Sequence, residues 1–160
     1  GLLAKAFYNA KKFDKAEAWY LEKAKQAPLT VSELVYLGLT QKNQNKLLNA
    51  DSTYAMVLSM SPKYDFGWLT RAQINDLIDT STTQKKYLAK PYYEKYIELA
   101  SADPVKNKTK LIFAYTYLAV YNVQISEYEM AKNYYNLVLS LDPKDEKANN
   151  DLKILSGIKK

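Results

Sequence analysis

The chain has no cysteine and no histidine. The first absence excludes disulfides, thiolate metal sites and a cysteine nucleophile. The second excludes every imidazole-based proton transfer. Glycine and proline are scarce, four and five in 160 residues, which argues against a turn-rich β fold. There is no Gly-rich phosphate loop. No apolar run is long enough to cross a bilayer, and no signal-peptide pattern is visible. The chain opens without Met and already in helical register at Leu2-Leu3-Ala4. A natural terminus rarely starts inside a helix without a cap, so a fragment of a longer protein is expected, from which a targeting signal can have been removed.

What is abundant is helical. Hydrophobic residues make up 48%, ample for a core, and Ala, Leu, Lys, Glu and Tyr are common. The 15 tyrosines suit thin helical layers, where a ring can be buried while its hydroxyl stays at a wet edge. The net charge is +6, but it is spread. Residues 1–28 carry +3, residues 29–64 +1, residues 65–107 zero and residues 108–160 +2. A nucleic-acid groove would show a denser basic stripe, so a solubilising lysine surface is the simpler reading. Cysteine content does not fix the compartment.

Apolar residues at helical spacing, punctuated by proline, divide the chain into similar pieces. In 31–64, Leu34, Leu37 and Gln41 line a first helix that Thr30 or Ser32 can cap. Gly38 sits inside that helix and costs roughly 1 kcal/mol relative to Ala, so it implies close approach of a neighbour. Lys42 to Lys46 is a polar turn, Ala50, Tyr54 and Val57 line a second helix, and Pro62 ends it. The piece before it keeps Leu3, Phe7 and Ala10, a turn at Phe13-Asp14, then Ala16, Tyr20 and Pro28. In the third piece Trp68 and Ala72 face inward, and a polar insert falls at 79–86 with Thr82 or Thr83 as a cap. A short helical turn is expected near 84–89, then a helix from about Pro91 with Tyr92, Tyr96 and Leu99 inside; one helix kinked at Pro91 is the alternative. Asp103-Pro104 predicts a long helix to about Ile125, with the extra residues at its start. Ser126 is the expected cap of the next helix, which carries Ala131, Tyr135 and Val138 and ends at Pro143. A last helix over 144–156 places Ala148, Leu152 and Leu155 on one side, stops at Gly157, and reads as a capping element.

The spacing Pro28–Pro62, the Leu37-Gly38 pair, Ala50, Tyr54 and the closing Pro62 resemble the tetratricopeptide repeat (TPR) family. Tyr115, Leu118-Ala119, Ala131, Tyr135 and Pro143 repeat the pattern with Ala for Gly. The third piece departs from it, with Tyr92 where a small residue is usual. The resemblance implies an all-α fold: a right-handed superhelix of about four TPR helical hairpins, the first truncated, with a C-terminal capping helix. The repeats would span about 1–28, 31–64, 65–103 and 104–143 in a single array, with the cap at 144–158. The physical reason stands without the name. One hairpin cannot bury both faces, and stacking hairpins lets Ala and Gly receive neighbouring aromatics. Tyr54, Trp68 and Tyr135 therefore read as core wedges.

No catalytic constellation stands out. Asp76 and Asp79, with Asn75, lack the further oxygens and glycine bend of a calcium loop and read as solvated helix-end residues. Glu94 and Glu98, one helical turn apart, are flanked by Lys90 and Lys95 and read as a charged face. A noncatalytic protein without metal or cofactor is expected. In TPR proteins the first helices line a concave face. The resemblance then selects Val35, Leu39 and Lys42; Phe66, Leu69, Gln73 and Asp76; and Phe113, Thr116, Val120 and Gln124. This set is apolar enough either to pack tightly between first helices or to take a peptide, a partner helix or another part of the same protein. Some TPR proteins clamp the C-terminal carboxylate of chaperones, but the matching places hold Gly1, Lys5, Tyr36, Phe66 and Thr70, and only Lys5 has the right charge. The expectation is a protein-interaction scaffold. Self-association is the alternative, with RNA or polyanion binding after it. The Asn-, Lys- and Tyr-rich repeats look bacterial, with the cell envelope or periplasm favoured over the cytoplasm.

Overall fold

A computed structural model describes residues 2–80 and 84–158, and the architecture is all-α. The chain divides into two compact units, residues 1–89 and 90–160. The first holds α1 (Leu2–Asn9), α2 (Phe13–Gln26), α3 (Val31–Asn43), α4 (Leu47–Met60) and α5 (Asp65–Ile78). The second holds α6 (Lys90–Ala100), α7 (Lys108–Gln124), α8 (Tyr128–Leu141) and α9 (Glu146–Ser156).

In the first unit, Ala4, Tyr20, Leu34, Leu37, Ala50, Tyr54, Val57 and Ile74 form one buried cluster. At Gly38, α3 and α4 approach each other closely. A Cβ there would stand 2.7 Å and 2.8 Å from two ring carbons of Tyr54, which is itself fully buried. Ala4, Ala72 and Ala119 occupy the matching places in other repeats, and all are fully buried. In the second unit, Tyr135 and Val138 of α8 and Leu111, Leu118 and Ala119 of α7 supply the equivalent core. Trp68, expected as a wedge, is only half-buried, and its indole N–H donates to the Pro62 carbonyl at 2.8 Å.

The turns are built alike. Among the described residues, the four non-glycine positions with positive φ are Lys11, Asn45, Tyr87 and Ser126, at 56°, 59°, 55° and 63°. They are separated by the same intervals as the prolines that end successive repeats. At three of them the next residue's N–H reaches back five residues: Lys12 to Phe7, Lys46 to Gln41 and Glu127 to Asn122, each 2.8 Å. The positive-φ residue itself bonds three residues back, at 2.9–3.1 Å. This closure satisfies the last carbonyls of a helix and normally ends in glycine. Here no glycine is used, so each site carries left-handed strain.

Several boundaries differ from the sequence expectation. The first turn is at 10–12 and Phe13-Asp14 already begin α2, because the left-handed residue is Lys11. Thr30, not Ser32, caps α3; its hydroxyl accepts from Glu33 N at 3.3 Å while Glu33 accepts from Thr30 N at 3.0 Å. Ser126 caps nothing, since its backbone is the left-handed turn residue. Thr82 and Thr83 lie outside the described residues. Residues 84–89 form no helical turn; Asp79, 7% exposed rather than solvated, accepts from Lys86 N and Leu88 N at 3.1 and 3.3 Å. No kinked helix spans Pro91, which lies in the first turn of α6. On α6, Tyr96 is buried as expected, while Tyr92 and Leu99 are half-buried and the next residues, Tyr93 and Ala100, are buried in their place. Finally, α7 starts at Lys108 and not at Pro104. Asp103 does cap a single turn, accepting from Lys106 N at 3.1 Å. Then buried Asn107 leaves the helical path to donate to the Ala100 carbonyl at 3.1 Å, which ends that turn.

Candidate protein-interaction groove

In the first unit the last turn of α1, one face of α3 and the α4–α5 connection enclose a groove of about 720 Å³. Val35 and Leu39 of α3 and Phe66 of α5, all anticipated from helix periodicity, line it. Tyr8, Val31, Tyr36 and Tyr64 add apolar surface, and Asn9, Ser32 and Ser61 supply the polar atoms. No charged residue is in the lining.

Ring-to-ring contacts fix the aromatic walls. Tyr8 meets Tyr36 edge-on with centroids 5.4 Å apart, and Phe13 braces Tyr8 from behind at 5.7 Å. Tyr64 and Phe66 are 6.0 Å apart. Such pairs hold their rings in place by quadrupole attraction as well as area. Lys5 places its ammonium 5.1 Å from the Tyr36 centroid. Burial, with Asp65 and Tyr36 nearby, pushes the Tyr64 hydroxyl above its ordinary pKa, so it stays a neutral donor.

Other anticipated residues are placed differently. Leu69 is 2% exposed and belongs to the core. Lys42 donates to Gln73 Oε1 at 2.8 Å, and burial lowers its pKa below the usual lysine value. Asp76 pairs with Lys85 at 2.7 Å. In the second unit, Phe113 is 53% exposed and packs against Tyr93 at 5.9 Å, and Thr116 is half-buried. Val120 lines a smaller cavity of about 230 Å³ with Val123, Tyr135, Lys147, Asp151, Ile154 and Leu155. Gln124 is exposed at the end of α7 and lines no such space. Val123 is the true repeat counterpart of Lys42 and Asp76; counting forward by the repeat lengths would have found it. Tyr8 and Tyr64 reach the groove from a helix end and a connection, outside the periodic stripe, and Tyr36 is the neighbour of Val35 on α3.

At the chaperone-clamp places, Gly1 lies outside the described residues, Tyr36 and Phe66 form apolar wall, and Thr70 is buried with its hydroxyl donating to the Phe66 carbonyl at 2.8 Å. That leaves Lys5 alone, so no clamp is formed. The acids weighed for metal binding have structural partners: Lys90–Glu94 and Lys95–Glu98 pair at 2.7 Å, and Asn75 donates to Asp51 at 2.6 Å.

The tetratricopeptide repeat profile matches residues 114–145, which run from within α7 through α8 to the turn before α9. A solved structure of the C-terminal part of a TPR repeat-containing protein from Cytophaga hutchinsonii matches with a TM-score of 0.83 and 31% identity, over 95% of this chain and 58% of that one. The chain carries a tetratricopeptide repeat and has the fold of TPR proteins. A TPR protein from Parabacteroides merdae is similar at 20% identity and a TM-score of 0.70, covering 96% of this chain and 56% of that one. The first TPR of Spaghetti (RPAP3), solved with the HSP90 peptide SRMEEVD, is similar at 22% identity and a TM-score of 0.57, over 79% of this chain and 90% of that one. This TPR chain thus spans less than two thirds of the Cytophaga and Parabacteroides structures. No curated protein sequence matches it.

Proposed function

We propose that this TPR chain is a noncatalytic interaction module that takes an extended segment of a partner protein in the groove of its first unit. The observation that carries this reading is the 720 Å³ groove walled by Tyr8, Val35, Tyr36, Leu39, Tyr64 and Phe66. It is apolar, open and rimmed by a few hydroxyl and amide groups, the composition of a peptide site rather than of a reaction centre. A TPR relative solved with a bound peptide supports the mode of binding. The test is selection of random twelve-residue peptides on the immobilised chain. Ser32 is exposed and lines the groove, so Ser32→Trp fills the space without touching the core. Selected peptides should lose binding to Ser32→Trp and keep it on Leu48→Asp, a change at an exposed residue of α4. Peptides that bind both variants equally contradict the proposal.

Self-association is the second reading, favoured by the second unit's apolar patch, where Ile154 is 66% exposed beside Val120 and Val123. Ile154→Glu should lower the molar mass seen by light scattering if that patch joins two copies. We also infer a bacterial cell-envelope setting from the Asn-, Lys- and Tyr-rich repeats; fractionation of cells expressing the full-length protein tests it.

A further inference from the structure

The first unit has twelve Lys and Arg residues against eight Asp and Glu. Every one of those eight carboxylates is engaged. Glu17, Glu22, Glu33, Asp51 and Asp76 pair with Lys46, Lys25, Lys23, Arg71 and Lys85. Asp14 accepts from Gln44 at 2.8 Å, Asp65 from Phe66 N at 2.7 Å, and Asp79 from Lys86 N and Leu88 N. Several lysines therefore have no carboxylate among the described residues, and two of them flank the groove. Lys5 stands over the Tyr36 wall at 5.1 Å, and exposed Lys63 lies between the lining residues Ser61 and Tyr64. Lys11 and Lys12 follow lining Asn9 in the same turn.

Asp65, between the lining residues Tyr64 and Phe66, is tied to Phe66 N in the first turn of α5, so the cations around the apolar floor outnumber the carboxylates there and select by charge complementarity. We infer that the groove's occupant is a peptide segment whose aromatic or aliphatic side chains are flanked by carboxylates, the apolar groups seated on Val35, Leu39 and Phe66 and the acids facing Lys5 and Lys63. This rests on the groove reading above and adds the partner's chemistry. A polyanion would use the lysines but has nothing to place on the apolar floor. Exposed ion pairs contribute little each, so two of them give roughly a fivefold preference at low salt, shrinking as salt screens them.

The test uses three acetylated, amidated eight-residue peptides with the same Leu-Phe-Trp-Leu centre, flanked on each side by two Glu, two Gln or two Lys. Fluorescence anisotropy on the full chain should rank Glu above Gln above Lys, with the gap closing at 0.5 M salt, about the concentration at which screening becomes short-ranged. Lys5→Glu combined with Lys63→Glu should reverse the order. A Gln peptide with a free C-terminus that gains as much as the Glu peptide assigns the carboxylate to a chain end; gain by the Glu peptide alone assigns it to side chains. Equal affinity of all three, an order unchanged by the charge swap, or no binding of any peptide overturns the inference. If the three bind equally yet Ser32→Trp abolishes binding, the groove reading stands and only the charge preference falls; if Ser32→Trp leaves binding intact, the groove reading falls too. Heparin that binds Ser32→Trp as well as the wild type and displaces the Glu peptide replaces the inference with polyanion binding.

Discussion

Replacing Gly38 with alanine isolates the contact on which the repeat is built. In an open helix the change would stabilise by about 1 kcal/mol, because glycine is the poorer helix former. Here the new Cβ would lie 2.7 and 2.8 Å from ring carbons of Tyr54, with Thr53 Cγ2 at 3.4 Å. Tyr54 is fully buried and its ring has no open side to retreat into. Overpacking of a tight core costs about 1–3 kcal/mol, so steric cost should exceed the propensity gain. The net expectation is a loss of roughly 1 kcal/mol, or about 2–4 °C in Tm for a chain of this size. Urea denaturation followed by circular dichroism measures it. Tyr54→Leu removes the offending ring, so in that background Gly38→Ala should become neutral or stabilising, and the cycle should show a coupling of at least about 1 kcal/mol. A Gly38→Ala protein about 1 kcal/mol more stable than wild type would refute the reasoning. It would mean that α3 and α4 separate easily to the spacing that the alanine-bearing repeats adopt.

The left-handed turns predict the opposite sign. Ser126→Gly and Lys11→Gly should each stabilise by roughly 1 kcal/mol, and Asn45→Gly by less, since Asn tolerates that conformation; thermal melts check this, and a lower Tm for Ser126→Gly would contradict it. Glu33 bonds to Lys23 first and to Thr30 besides, and these hold its carboxyl down to about 2 from the ordinary 4.5, against the effect of burial. A lowered carboxyl pKa gives stability that is present above about pH 4.5 and lost as pH falls towards 2. Allowing for solvent around Lys23, Glu33→Gln should cost on the order of 1–2 kcal/mol at pH 7 and flatten the pH dependence across that window in urea melts. Asp151 joins α9 to α8 by accepting from the Tyr135 hydroxyl at 2.6 Å and from Lys147 at 2.8 Å. Asp151→Ala should cost about 1–2 kcal/mol, with faster amide hydrogen exchange in α9 than in α7.

The repeat was legible because its signals are local and periodic. Leu37-Gly38, Ala50 and Tyr54 fix helix faces, and Pro28, Pro62 and Pro143 fix stops; the structure places each of these as expected. The turns were harder to read, because the left-handed residue is Lys, Asn, Tyr or Ser where a glycine would have announced it. The start of α7 was misplaced because Asp103-Pro104 does open a helical turn, and only a tertiary bond from Asn107 to the end of α6 stops it. For the groove, the apolar stripe of α3 was visible as Val35 and Leu39. Tyr8 and Tyr64 were not, because they reach it from a helix end and a connection that carry no periodicity. Leu69 shares the stripe's spacing but is covered by its neighbours, a fact of packing that no spacing encodes.

The central claim is that the first unit's groove receives a peptide. Amide chemical-shift mapping by NMR during titration with a selected peptide tests it most directly. The account predicts that shifts concentrate on Asn9, Val31, Ser32, Val35, Tyr36, Leu39 and Phe66, and that Ser32→Trp abolishes them. Shifts centred instead on the exposed face of α4 around Leu48 and Met56, or unchanged in Ser32→Trp, would contradict it.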